Sequence, residues 1–133
     1  MRPNRLLKEY GELRVAARDP DICLNLSSEG DIFEWRAVLQ GPHGTPYESG
    51  TFELHINCPQ AYPLAPPKVR FITPVFHPNV MFKTGGICLD ILKPEAWTPA
   101  WTLTSVCRAV LALLSEAQHD SPLNCDAGNL LRA

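Results

Sequence analysis

The sequence predicts a single domain of the α/β class, in its α+β form: a helix, a four-stranded antiparallel meander and a second helix in succession. Three patterns predict it. Apolar residues recur at helical spacing at the start, four period-2 segments occupy the middle, and a helical apolar stripe returns near residue 103. In the first helix Leu6, Tyr10, Leu13 and Ala17 mark the apolar side, with Lys8, Glu9, Glu12 and Arg14 between them, and Asp19-Pro20 stops it. Ile22, Leu24 and Leu26 then alternate with Cys23 and Asn25. Phe33, Trp35, Ala37 and Leu39 alternate with Glu34, Arg36 and Val38, and Phe52, Leu54 and Ile56 with Thr51, Glu53, His55 and Asn57. Val69 and Phe71 form a shorter run after Pro66-Pro67. Alternation of this kind describes strands with one buried and one wet face. Leu103, Val106, Cys107, Val110, Leu111 and Leu114 give the stripe of the second helix, which a turn at Asp120-Ser121-Pro122 follows.

Composition narrows the function classes. With 133 residues, 45% of them hydrophobic, the chain has enough apolar material for one core. A net charge of -2 excludes a nucleic-acid binder that relies on a basic face. No apolar run approaches bilayer length, so no direct membrane insertion is expected, and the start lacks a signal peptide's apolar stretch. The thirteen prolines cluster between elements, which predicts stiff loops. Five cysteines, at positions 23, 58, 88, 107 and 125, are scattered without a CxxC pair. That set argues against a zinc site, and no metal or cofactor is expected. It suits a reducing compartment, cytosol or nucleus, better than a disulfide framework.

Residues 73–101 break both periods, and a segment that long without regular structure inside a small domain is usually functional. The cysteines sort accordingly. Cys107 falls on the apolar stripe and reads as core. Cys23 lies on the polar side of the first strand, Cys58 ends the third, and Cys125 is in a polar turn. Cys88 alone lies in the irregular segment, just after Gly85-Gly86, where the missing side chains leave room for an acyl substrate to approach. It is the candidate nucleophile.

His77-Pro78-Asn79, then Gly86-Ile87-Cys88-Leu89-Asp90-Ile91-Leu92, then Trp97-Thr98-Pro99-Ala100 resemble the signature of ubiquitin-conjugating (E2) enzymes. The likeness extends to Gly41-Pro42, Pro46-Tyr47-Glu48, Tyr62-Pro63 and Pro66-Pro67, and so covers nearly the whole chain. A narrower similarity is to the peroxisomal (peroxin) branch, carried by FKTG at 82–85, LKPE at 92–95, WTPAW at 97–101 and DSPLN at 120–124. The resemblance implies the UBC fold, with an active-site loop, a central helix and C-terminal helices. It also implies an acyltransferase needing no cofactor: Cys88 takes ubiquitin from an activating enzyme (E1) by thioester exchange, and a target amine or thiol then takes it, guided by a ligase (E3), RING type in this branch.

Site roles follow from the same resemblance. Asn79 corresponds to the donor that stabilises the oxyanion, against a competing role of bonding loop backbone. His77 and Pro78 correspond to structural residues beside the active site. Asp120 matches an acidic gate that orients the amine or receives its proton, and the plain alternative is a turn residue. Ser121 stands where many relatives have a second acid. Arg5, Lys8, Leu64, Pro99 and Ala100 match the face that receives E1 and E3, or else are ordinary loop and helix surface. Asn25 matches a place where some relatives bind a second ubiquitin. The branch also implies a membrane-anchored peroxisomal recruiter, and hence action in the cytoplasm at the peroxisomal surface. The interval from His77 to Cys88 is one residue longer than the family's common form. The chain is expected to be one UBC catalytic domain, 1–133, incomplete in its C-terminal helices. Competing readings are a general cytosolic E2, a conjugator of another ubiquitin-like modifier, and an inactive ubiquitin-binding variant, which Cys88 in full context argues against.

Overall fold

The computed structural model describes residues 2–15 and 19–117. The elements are helix α1 (Arg2–Val15), strands β1 (Ile22–Leu26), β2 (Glu34–Gln40), β3 (Thr51–Asn57) and β4 (Lys68–Phe71), a 3-10 turn at Asp90–Leu92, and helix α2 (Leu103–Ser115). The strands form one antiparallel sheet in the order β1-β2-β3-β4, the meander that the alternating segments predict. Ala17, Asp120, Ser121 and Cys125, and the expected C-terminal helices, lie outside the described residues.

The register explains which residues are buried. Trp35 pairs with Ile56, Ala37 with Leu54 and Leu39 with Phe52. All six point to the covered face, and Trp35, Ala37, Leu39, Leu54 and Ile56 have no exposed surface. Helix α2 closes that face with Leu103, Val106, Cys107, Val110, Leu113 and Leu114, and burying each large aliphatic side chain is worth about 1.5–3 kcal/mol. The stripe differs from the expected one at one position: Leu113 is buried and Leu111 only partly so. Thr102 begins α2 with a capping box, its hydroxyl accepting from the Ser105 amide while the Ser105 side chain accepts from the Thr102 amide.

Glu9 departs more sharply from expectation. Read as part of the polar face of α1, it is 5% exposed. Its carboxylate accepts from Arg5 Nε at 2.9 Å, from the Tyr62 hydroxyl at 2.6 Å and from the Leu103 amide at 2.8 Å. A carboxylate at the start of α2 is favoured by the helix dipole and by an amide that has no partner within the helix, and this outweighs the exposure that spacing alone suggests.

Candidate active site

The irregular segment 73–101 contains a short hairpin that positions the candidate nucleophile. The Val80 and Ile87 backbones bridge in antiparallel fashion. The Cys88 amide donates to the Asn79 carbonyl at 2.7 Å, the Met81 amide to the Gly86 carbonyl at 2.8 Å, and the Gly85 amide to the Met81 carbonyl at 2.7 Å. Residues 79–81 and 86–88 are therefore the two arms, with Phe82, Lys83 and Thr84 exposed at the tip. The Phe71 amide donates to the Gly85 carbonyl at 2.8 Å, and Arg70 bridges to Gly86, so the hairpin is sewn to the end of β4.

This attachment gives Gly85 its reason. Its φ is +78°, and a Cβ there would lie 1.9 Å from the Phe71 carbonyl oxygen. Room for backbone approach is needed, as the Gly85-Gly86 pair suggested, but the approaching group is β4 rather than an acyl substrate. Gly86 has only the Thr84 hydroxyl near, at 3.3 Å.

His77 and Asn79 occupy the inner arm. The His77 ring is 7% exposed; Nε2 lies 2.7 Å from the Leu113 carbonyl, and Nδ1 lies 3.0 Å from the Asn79 amide. A carbonyl needs a donor and an amide needs an acceptor, so the ring is the neutral Nε2–H tautomer. Burial lowers its pKa below the ordinary 6.5, opposed by the Leu113 carbonyl. Both nitrogens are engaged, which leaves no lone pair for proton abstraction. Tyr47 braces the same segment: its hydroxyl donates to the Phe76 carbonyl at 2.8 Å and its ring lies 6.1 Å from that of His77. Pro78, between His77 and Asn79, is half-buried, and Asn79 has no exposed surface. Every buried side-chain polar atom among the described residues has a partner.

Cys88 itself is half-buried on the outer arm. Its sulfur is in a disulfide, whereas Cys23, Cys58 and Cys107 are free thiols. Sequence spacing does not reveal this bond, because folding sets which sulfurs meet. Cys107 is in the core, as its place on the stripe predicts. Burial raises the thiol of Cys107 to about 12, against the opposing charge of Arg108. Cys58 is also raised to about 12, by burial first and then by Glu9 and Glu34.

The residues matched to a partner-binding face fall on three elements. Lys8 is exposed on α1, Leu64 is 79% exposed, and Pro99 and Ala100 are exposed ahead of α2. Arg5 differs, because its guanidinium is turned inward: Nη2 donates to the Trp101 carbonyl at 2.7 Å, Nε donates to Glu9, and the group lies 5.7 Å from the Tyr62 ring centre. Glu9 and Tyr62 were missed as members of this region. Tyr62 carried a signal in the Tyr62-Pro63 pair, whereas a charge at helical spacing hides its own burial. Asn25 is exposed on the outer sheet face. No group of acidic, histidine or cysteine side chains among the described residues could hold a metal ion, and no described helix is long and apolar enough to cross a membrane.

Comparison with known proteins adds the following. The family model described as ubiquitin-conjugating enzyme matches residues 5–133. The chain is 59% identical over 130 residues to Protein PEROXIN-4 of Arabidopsis thaliana, covering 97% of this chain and 82% of that protein. It is 54% identical over 128 residues to the ubiquitin-conjugating enzyme E2 pex4 of Dictyostelium discoideum, covering 96% and 85%. Among solved structures, H. polymorpha ubiquitin conjugating enzyme Pex4p, in complex with the soluble domain of Pex22p, superposes with a TM-score of 0.82. That pair is 38% identical, over 97% of this chain and 86% of the other. Human ubiquitin-conjugating enzyme E2 G1 superposes with a TM-score of 0.79 at 34% identity, over 86% and 94%.

Proposed function

The chain belongs to the ubiquitin-conjugating enzyme family, and from that premise we propose that it carries ubiquitin on Cys88 and delivers it at the cytosolic face of peroxisomes. As an E2 it works with ubiquitin, an activating enzyme and a ligase. The observation that carries the assignment of Cys88 is its backbone pairing with Asn79 across the hairpin, which joins a half-buried cysteine to a fully buried asparagine.

In the first step the Cys88 thiolate attacks the thioester carbonyl that links ubiquitin to the activating enzyme. A new C–S bond forms, the old one breaks, and the activating enzyme leaves as its thiolate. In the second step a target amine, or a thiol, attacks the Cys88 thioester. The bond to Cys88 sulfur breaks, and an attacking amine gives up a proton, for which Asp120 is the assigned acceptor. Both steps pass through an oxyanion, and a donor preorganised towards it is worth about 3 kcal/mol. The Asn79 side-chain amide is the donor assigned here, while its backbone holds Cys88 and His77 in place. His77 and Pro78 shape the arm, and Ser121 has no assigned chemistry.

The peroxisomal role is supported by the relatives named for it, and the solved Pex4p complex supports a membrane-anchored recruiter that would take the place of Pex22p. A RING-type ligase and the surface formed by Lys8, Leu64, Pro99 and Ala100, with Arg5 behind it, complete the reading. The test is charging with ubiquitin, activating enzyme and ATP, read without reductant in the gel after the enzyme has been reduced and desalted. A thiol-labile adduct is expected on reduced enzyme, none on enzyme left oxidised, and a thiol-resistant oxyester in Cys88→Ser. A labile adduct that persists in Cys88→Ala would remove the assignment.

A further inference from the structure

The partner-facing residues Lys8, Leu64, Pro99 and Ala100 come from three separate pieces of chain, and something must fix their mutual positions. One buried side chain bonds directly within the first piece, to the second and to the start of α2, and reaches the third through Arg5. Glu9 lies on α1, one residue after Lys8. Its Oε2 accepts from Arg5 Nε and from the Tyr62 hydroxyl, and its Oε1 accepts from the Leu103 amide. Tyr62 leads directly through Pro63 to the exposed Leu64. Arg5 continues the connection by donating to the Trp101 carbonyl, next to Ala100. Trp97 closes the circuit: its Nε1 donates to the Pro63 carbonyl at 2.8 Å and its ring lies 5.9 Å from that of Tyr62.

We propose that Glu9 is a positioning residue for the surface that receives the activating enzyme and the ligase, locking α1, the 62–64 loop and the 97–101 loop into one rigid platform. The proposal rests on the reading of that surface given above. Three donors converge on this carboxylate, one of them the guanidinium of Arg5 and one the first amide of α2. Charge-assisted bonds of this kind are about twice as strong as neutral ones, and a buried network gains rigidity when every member is satisfied. Its neighbour responds to it: the Tyr62 hydroxyl is held protonated by burial and by its bond to Glu9. Glutamine at position 9 keeps the shape but offers one acceptor oxygen to three donors, so Arg5 is released and the loops gain freedom. At 5% exposure, Glu9 acts through its neighbours rather than by touching a partner.

The experiment compares wild type, Glu9→Gln and Tyr62→Phe in three reactions: charging at varied activating enzyme, ligase-stimulated discharge at varied ligase, and discharge of the loaded thioester to hydroxylamine. Glu9→Gln is expected to raise the KM for both partners at least about fivefold while kcat at saturation and the hydroxylamine rate stay within about twofold. Tyr62→Phe, which removes one donor and keeps the ring, is expected to shift KM in the same direction by less. Unchanged KM values in Glu9→Gln, with a wild type that charges normally, would overturn the proposal alone. A hydroxylamine rate that falls in step with KM would overturn it too, because the effect would then reach Cys88 as a general loss of structure. If reduced wild type fails to charge at all, the reading of the site and this proposal fall together.

Discussion

Asn79 and Cys88 face each other across the hairpin, joined by a 2.7 Å bond from the Cys88 amide to the Asn79 carbonyl. The Asn79 backbone amide donates to His77 Nδ1, and His77 Nε2 is bonded to the Leu113 carbonyl of α2. A chain of backbone and ring contacts thus runs from the central helix to the residue that carries the sulfur. Removing the Asn79 side chain leaves those backbone bonds in place.

Asn79→Ala is therefore expected to slow discharge to free lysine more than it slows charging, if the amide stabilises the second oxyanion. Since Asn79 is fully buried, the variant also loses about 1–3 kcal/mol of stability from the partner groups it abandons. The two effects separate in single-turnover assays run well below the melting temperature. Equal slowing of both half-reactions would assign Asn79 to loop structure alone.

Gly85 and Gly86 are adjacent in sequence and opposite in expected tolerance. Gly85→Ala places a methyl 1.9 Å from the Phe71 carbonyl oxygen at a φ of +78°. Left-handed backbone alone costs about 1–2 kcal/mol, and the clash forces the hairpin off β4. Lower thermal stability and slower charging are expected together. Gly86→Ala meets only a threonine hydroxyl at 3.3 Å and is expected to cost much less. Similar losses in the two variants, by thermal melting, would mean that the hairpin is not held through Gly85.

The strands were legible because each has one wet and one buried face, so Trp35, Ala37 and Leu39 stand out at every second position. The hairpin was not, because its arms are three residues long and both Asn79 and Val80 are buried. Alternation cannot be seen where a polar side chain is buried by its own partners. Glu9 was hidden for the same reason: periodicity classifies a residue by its type, and a carboxylate is placed in the interior by donors 53 and 94 positions away. The motif residues around Cys88 were readable as chemistry, but the order in which backbone bonds join them is a property of the fold.

The thiols supply an independent check on burial. At pH 8, a thiol raised to about 12 exposes only about one part in ten thousand as thiolate, the form that alkylates. Cys58 and Cys107 are expected to resist iodoacetamide until denaturant is added, while the exposed Cys23 labels in the native state. Peptide mass spectrometry after timed quenching reads the order. Native labelling of Cys107 as fast as Cys23 would contradict the packing of α2 on the sheet.

The last prediction concerns His77 and pH. Burial depresses its folded pKa below 6.5, so below that pH the unfolded chain binds a proton that the folded chain resists. The contribution of His77 is fully present above pH 6.5 and is lost as pH falls towards its folded pKa, at a slope of up to about 1.4 kcal/mol per pH unit. Glutamine can keep a donor towards the Leu113 carbonyl and does not titrate. Thermal melts between pH 5.5 and 7.5 should therefore fall more steeply for wild type than for His77→Gln, and the other histidines cancel in the difference. Because neither ring nitrogen is available as a base, His77→Gln should also discharge to lysine within about tenfold of wild type at pH 7.5, whereas losing a general base typically costs about a hundredfold or more. Parallel melting curves would show that His77 titrates normally in the folded state, and a hundredfold loss of rate would give it a part in the chemistry.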